Sequence, residues 1–447
     1  MLRLLQRVVL FLVGLTLPIQ GLTLLKFKFG LTPFKLVTAI LLVFGVLQFA
    51  IVTRRMVPDR KRVWMIVFAL SYGISAVIAF SQGVTKTDLL IVSSTQAALI
   101  IYYFLIGFVV RTREDLVVLL WALAIGGAIT AAPAALGIRT STSEFEYGAR
   151  ASGLSGQENL FGFDMAVCLP VAIALLFAVR SQFGKLVAVG LASVCVVGLL
   201  LSLSRAAFVS AFVMGALWMY RSGRIDSVKY LVPAIGLALA VALLSPQSVQ
   251  QRVRTMVNPS ERNRDLSIQS RLAQTEFALK AFASNPLVGI GVNRFQDWAH
   301  QQPGGFKIDN VVHNAYLNVA SSQGLLGLIP FVAILGLTWR DYGRCRRAAR
   351  TNRRYRDASL AELGHYATFL QIALTGGMVG GLFGLAHQSK TMWLLLALSP
   401  VLVSLCRERV AALSEQAVAR AQGPEAECGS HGSGWQRPQG TEAASGS

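Results

Sequence analysis

The sequence predicts an all-α, polytopic integral membrane protein with about 12 transmembrane helices. Three observations predict it. Of 447 residues, 54% are hydrophobic and only 14% are charged, with a mean hydropathy of +0.54, whereas a soluble domain carries about 25% charged residues. The apolar residues come in runs near the ~20 residues that cross a ~30 Å hydrocarbon core. The charges gather in the short segments between those runs. A net charge of +20 would suggest nucleic acid in a soluble chain. Here the cations read as topology signals, so the expected surroundings are the lipid bilayer and no nucleic acid.

Taken in order, the candidate spans are 8–25, 36–53, 63–82, 88–110, 116–137, 159–179, 186–204, 206–220, 229–245, 316–338, 364–386 and 391–406. Arg3 and Arg7 before Val8–Leu17 resemble the start of a signal peptide, but no small-x-small cleavage site follows, so this run reads as the first span. With the N-terminus inside, the inner segments hold 26 of the 42 Lys and Arg residues. Half of the outer remainder lies in one long loop, 246–315, where the rule that cations stay inside counts least. Both termini are therefore expected in the cytoplasm, and the large loop between helices 9 and 10 on the outer face. Arg340–Arg356 is the strongest inner anchor, while Lys26, Lys28 and Lys35 run against the rule. Residues 1–406 form the transmembrane domain. Residues 407–447 form a cytoplasmic tail, largely disordered after 422 because that stretch is Gly-, Ser-, Pro- and Gln-rich. No cysteine falls in an outer loop, so neither a disulfide nor a metal cluster is expected.

Four places carry chemistry. Leu186–Tyr220 is broken among charges only by Arg205; as one helix it would run ~52 Å, too long for the bilayer. A split at Leu203-Ser204-Arg205 puts the arginine at the outer membrane face, as a snorkelling cation or as an anion clamp. In the outer loop, Ser270–Ser284 has an amphipathic helical pattern, with Leu272, Thr275, Leu279 and Phe282 on one face. Arg271 sits in its first turn, where anions are held, and Gly289-Ile290-Gly291 permits a tight turn beyond Pro286. His313 lies where the loop re-enters the membrane, as a structural histidine or as a base, with Asp309 four residues earlier as a candidate orienter. Asp164, an acid within the sixth span, has Arg205 or Arg150 as candidate partners. No phosphate-binding loop with lysine, GxSxG elbow or zinc-type spacing occurs.

These features together resemble the bacterial O-antigen ligase and Wzy-type O-antigen polymerase membrane proteins. Four stretches in order carry the likeness. They are Arg150-Ala151-Ser152-Gly153 followed by Asn159; Leu203-Ser204-Arg205-Ala206-Ala207; Ser270-Arg271 followed by Asn285-Pro286-Leu287-Val288-Gly289-Ile290-Gly291 and Phe295; and His313-Asn314-Ala315-Tyr316 followed by Gly324-Leu325-Leu326-Gly327. The likeness covers about residues 145–340. Two positions depart from the family: Gln157-Glu158-Asn159 stands where Asn-Pro-Asn is frequent, and Ser322-Gln323 where a glutamate often precedes the glycine-rich turn.

The resemblance implies a GT-C-like glycosyltransferase of the bacterial inner (plasma) membrane with a periplasmic active site. The donor would be a glycan on undecaprenyl diphosphate. The acceptor would be lipid A-core in a ligase or another lipid-linked glycan in a Wzy-type polymerase. Transfer would invert the anomeric centre with no metal and no cofactor. Arg205 and Arg271 match the arginines that hold the diphosphate, and His313 matches the catalytic histidine. Arg150, Asn159, Asp164, Asp309, Asn314 and Tyr316 are the supporting candidates. The rival from another class is a membrane transporter of polysaccharide or small molecules, which favours repeats and broken helices at the midplane.

Overall fold

The structure, a computed structural model, describes residues 2–19, 21, 32–51, 57–136, 151–222, 266–304, 311–352 and 357–422. Among these the regular elements are helical: α1 (Leu2–Thr16), α2 (Pro33–Ile51), α3 (Arg62–Ser81), α4 (Lys86–Val109), α5 (Arg113–Ala135), α6 (Glu158–Ala178), α7 (Gln182–Leu201), α8 (Arg205–Ser222), α9 (Leu266–Ser284), α10 (Phe295–His300), α11 (Ala315–Thr351), α12 (Ala358–Gly380) and α13 (Lys390–Gln422). Short 3-10 turns stand at Gly153–Ser155 and Ala386–Gln388. Seven of the described helices (α2 to α7 and α11) are long and apolar enough to cross a membrane, so the protein is a polytopic membrane protein. By position α1, α8, α12 and α13 coincide with four further expected spans. The ninth expected span, 229–245, lies outside the described residues, as do Arg150, Asp309, residues 246–265 of the long loop and the tail beyond 422.

Local chemistry explains where the helices start. Thr112 and Asp115 close a reciprocal capping box on α5, Ser181 caps α7 through Gly184 N–H at 3.1 Å, and Asp357 caps α12 through Leu360 N–H at 2.7 Å. Two helices run beyond the expected membrane spans. α11 continues to Thr351 and carries Arg340, Arg344, Arg346, Arg347 and Arg350 on helix rather than in a loop, and α13 continues to Gln422. The first helix, by contrast, ends at Thr16, not at 25, just before Pro18.

One apolar core runs from Val9 on α1 to Cys406 on α13. α6 is central, with 67% of its span buried, while α7 is peripheral at 22%. Outward-facing apolar side chains such as Phe49, Val77 and Phe212 cover the peripheral helices, a surface suited to lipid rather than water.

The helix ends meet on two opposite faces. At one, Gly21 N–H donates to Leu154 O, Ala151 N–H to Leu201 O, Ala315 N–H to Gly381 O, and Thr391 Oγ1 to Asp164 Oδ1. At the other, Gln6 donates to Asp115, Lys61 pairs with Asp341, Arg113 with Glu362 and Arg409 with Asp357. The arginines on the second half of α11 also lie at this basic end.

The segment after α9 does not stay outside the bundle. α11 is broken at Gly324 (φ 63°, ψ −157°), and the exposed backbone groups pair with residues 286–291. Ser321 and Ser322 carbonyls accept from Ile290 and Gly291 N–H at 2.8 and 3.1 Å, and Leu325 and Leu326 N–H donate to Pro286 and Leu287 carbonyls at 2.8 and 3.1 Å. From α3, Ser75 Oγ donates to Ser322 O and Ser71 Oγ to Gln323 Oε1. Irregular backbone at this depth survives only when protein satisfies it. Both Gly289 (φ 72°) and Gly324 need glycine, because a Cβ there would lie 2.4 Å from Ser322 C and 2.3 Å from Leu287 C.

Candidate functional site

Arg205 is the first residue of α8, where the sequence placed it. The turn before it is held tightly. Leu203 adopts a left-handed φ of 47°, unusual for leucine and costing of order 1 kcal/mol. Ser204 is buried; its Oγ accepts from Ala207 N–H at 3.4 Å as the helix cap and donates to Asn159 Oδ1 at 3.3 Å on α6. Asn159 thus fixes the turn that aims Arg205. Below it, Gly162 lets α6 approach the same turn, its Cα facing Ser202, Ser204 and Ala207.

Arg271 lies on α9, half-buried, one helical turn before Gln274. Gln274 is buried and holds two groups: its Nε2 donates to Ser270 Oγ at 3.1 Å, and its Oε1 accepts the His313 backbone N–H at 3.4 Å. The buried face of α9 is Gln274, Phe277, Ala278 and Ala281, packed with Phe295, Ala299 and Val312. The face that the sequence marks with Leu272 and Leu279 points outward, these two side chains being 66% and 50% exposed.

His313 is half-buried just before α11. Burial, and next the nearby Arg271 guanidinium, push its pKa below the ordinary imidazole value. Asn314 follows as the cap of α11, its Oδ1 accepting Tyr316 and Leu317 N–H, each at 3.0 Å. Tyr316 Oη donates to Met378 O at 2.9 Å and ties α11 to the end of α12. Ser210 of α8 packs against Gly380, next to the Gly381 carbonyl that accepts Ala315 N–H at 2.7 Å. Arg205, the α12 end, His313 and Arg271 therefore follow one another around a single end of the bundle.

Asp164 is fully buried and accepts from Ser155 Oγ at 3.1 Å and Thr391 Oγ1 at 2.9 Å, with Lys390 in electrostatic reach. Those contacts tie α6 to the start of α13, a partner set that the sequence did not indicate. Two more basic groups lie at this end. Arg294 is buried and its Nε has no hydrogen-bond partner among the described residues. His387, in the turn between α12 and α13, is buried edge-on against Phe331, and burial lowers its pKa to about 4. His387 is therefore held neutral, whereas His313 keeps an accessible ring.

Comparison with known proteins adds one finding. A family model described as O-Antigen ligase matches residues 188–332. The matched stretch holds Arg205, Arg271 and His313, and leaves out the Ala151–Gly153 and Asn159 motif. No curated protein matches the chain. The chain accordingly carries an O-antigen ligase-like segment over residues 188–332, which contributes Arg205, Arg271 and His313 to this end of the bundle.

Proposed function

We propose that the protein transfers a glycan from undecaprenyl diphosphate to an acceptor hydroxyl at the outer face of the bacterial inner membrane. The observation that carries this reading is the setting of His313 beside Arg271, its backbone N–H held by Gln274 and the next residue, Asn314, capping α11. The acceptor oxygen attacks the anomeric carbon from the side opposite the leaving group, and the configuration inverts. As the new C–O bond forms, the hydroxyl proton passes to the His313 imidazole. The bond from the anomeric carbon to the diphosphate oxygen breaks, and its electron pair leaves with the lipid diphosphate. Arg205 and Arg271 hold that growing negative charge through planar, paired N–H donors. The basic end, with the α11 arginines, faces the cytoplasm, and the transfer site faces the periplasm. Asn159, Asn314 and Tyr316 position these groups.

The α11 break resembles the discontinuous helices of transporters. Its backbone groups are taken up by residues 286–291, which favours the enzyme reading. Ligase and Wzy-type polymerase share this chemistry and differ in the acceptor, lipid A-core or a second lipid-linked glycan. The test is a transfer assay on purified protein with each acceptor. Arg205→Lys and Arg271→Lys keep the charge but lose the two-pronged donor, so each is expected to slow transfer roughly 30- to 1000-fold. Near-normal rates in both variants would remove the arginines from the site.

A further inference from the structure

We propose that the basic end holds an anionic phospholipid, with its phosphate in a cleft between the segment before α3, α11 and α13. The cleft, about 250 Å³, is lined by Pro58, Asp59, Arg60, Asp341, Arg344, Pro400, Val403 and Arg407. Its two carboxylates are already engaged. The fully buried Lys61 ammonium bridges Asp59 at 3.2 Å and Asp341 at 3.0 Å and also donates to Ser399 Oγ at 2.8 Å. Arg344 adds a contact to Asp341 at 3.3 Å. Arg60, Lys61, Arg344 and Arg407 set four positive charges against two negative ones, a net of +2 at the cleft. Arg60 and Arg407 are exposed and Arg344 is half-buried, so three guanidinium groups line the cleft while the acids are tied back.

The same cleft adjoins a small notch, about 20 Å³, that shares Asp59 and Pro400 and adds Val57, Arg62, Tyr103, Phe104 and Gly107. Beyond it lie outward-facing Phe49, packed on Phe108, and Val63, 70% and 67% exposed. A basic pocket that opens onto an apolar wall at a membrane rim fits a phosphate carrying acyl chains. A free phosphate ion would share the cation chemistry and make no use of the exposed apolar rim of Phe49 and Val63. The ligand class is therefore a lipid phosphodiester with at least one exposed anionic charge, such as phosphatidylglycerol.

Native mass spectrometry of the full-length protein in detergent tests this. Phosphatidylglycerol is titrated beside phosphatidylcholine of the same chains and beside glycerol 3-phosphate. Phosphatidylglycerol is expected to be retained, and the Arg60→Gln/Arg407→Gln variant, changed only at exposed positions, to weaken it about tenfold or more. Arg344→Gln should act in the same direction, and Lys280→Gln, an exposed position outside the cleft, should leave lipid retention unchanged. Equal retention of phosphatidylcholine, or no loss in the double variant, overturns the site. Displacement of the lipid by glycerol 3-phosphate at similar concentration overturns the lipid as its occupant.

Discussion

Arg271 acts on His313 in two directions, and the sign depends on what is bound. In the free protein its guanidinium adds to burial and keeps the imidazole neutral to lower pH than usual. In the proposed mechanism, a diphosphate seated against Arg271 would offset that charge and favour the imidazolium, so His313 would become the stronger base when the donor is bound. The dependence of kcat/KM on pH reports the free enzyme and that of kcat the complex. Activity should fall toward acid in both profiles, with the kcat/KM limb below the usual ~6.5 and the kcat limb at higher pH. Coincident limbs, or the reverse order, would contradict the coupling. At this scale much was legible in the sequence. Arg205 stood out because the apolar run around it was too long for one span, and His313 because it ended the long outer loop. Gln274, Ser204 and the Asp164–Thr391 contact were not legible, since each depends on side chains brought together from distant segments.

At the scale of elements, the joint between residues 286–291 and α11 positions His313 by anchoring both α9 and the start of α11. The sequence marked Gly289 and Gly291 as a turn and Gly324 only as part of a motif; nothing in its periodicity showed that the two stretches pair. Gly324→Ala puts a Cβ at 2.3 Å from Leu287 backbone atoms at a φ of 63°. The left-handed backbone alone costs of order 1–3 kcal/mol, and the contact adds to it. A thermal-unfolding measurement should find the variant clearly less stable, with transfer lowered beyond the loss of folded protein. An unchanged midpoint and rate would mean that the joint has no structural weight. The seven described helices that are long and apolar enough to cross a membrane were legible because hydropathy is a strong signal in lipid. The orientation of α9 was not, because Leu272 and Leu279 face outward from a helix whose inner face holds a glutamine.

For the whole molecule, the separation of charge between the two ends is the basis of the proposed orientation. Cysteine labelling at positions 60 and 350 should occur only from the cytoplasmic side and at position 300 only from the periplasmic side; labelling of the α11 arginine stretch from outside would invert the topology. The family match covers the stretch with all three central residues, yet the placement of α8 beside the start of α11 comes from α12, whose end joins the two. The central claim is that this end of the bundle carries out transfer with His313 as its base. The most direct measurement is a paired one on the His313→Ala protein, its transfer rate and its affinity for the lipid diphosphate donor. General-base catalysis usually supplies about 10²–10⁴-fold, so transfer should fall by at least ~100-fold with donor affinity within about twofold of the unmodified protein. A variant that keeps more than about a tenth of the rate, or that loses donor binding along with transfer, would contradict the assignment.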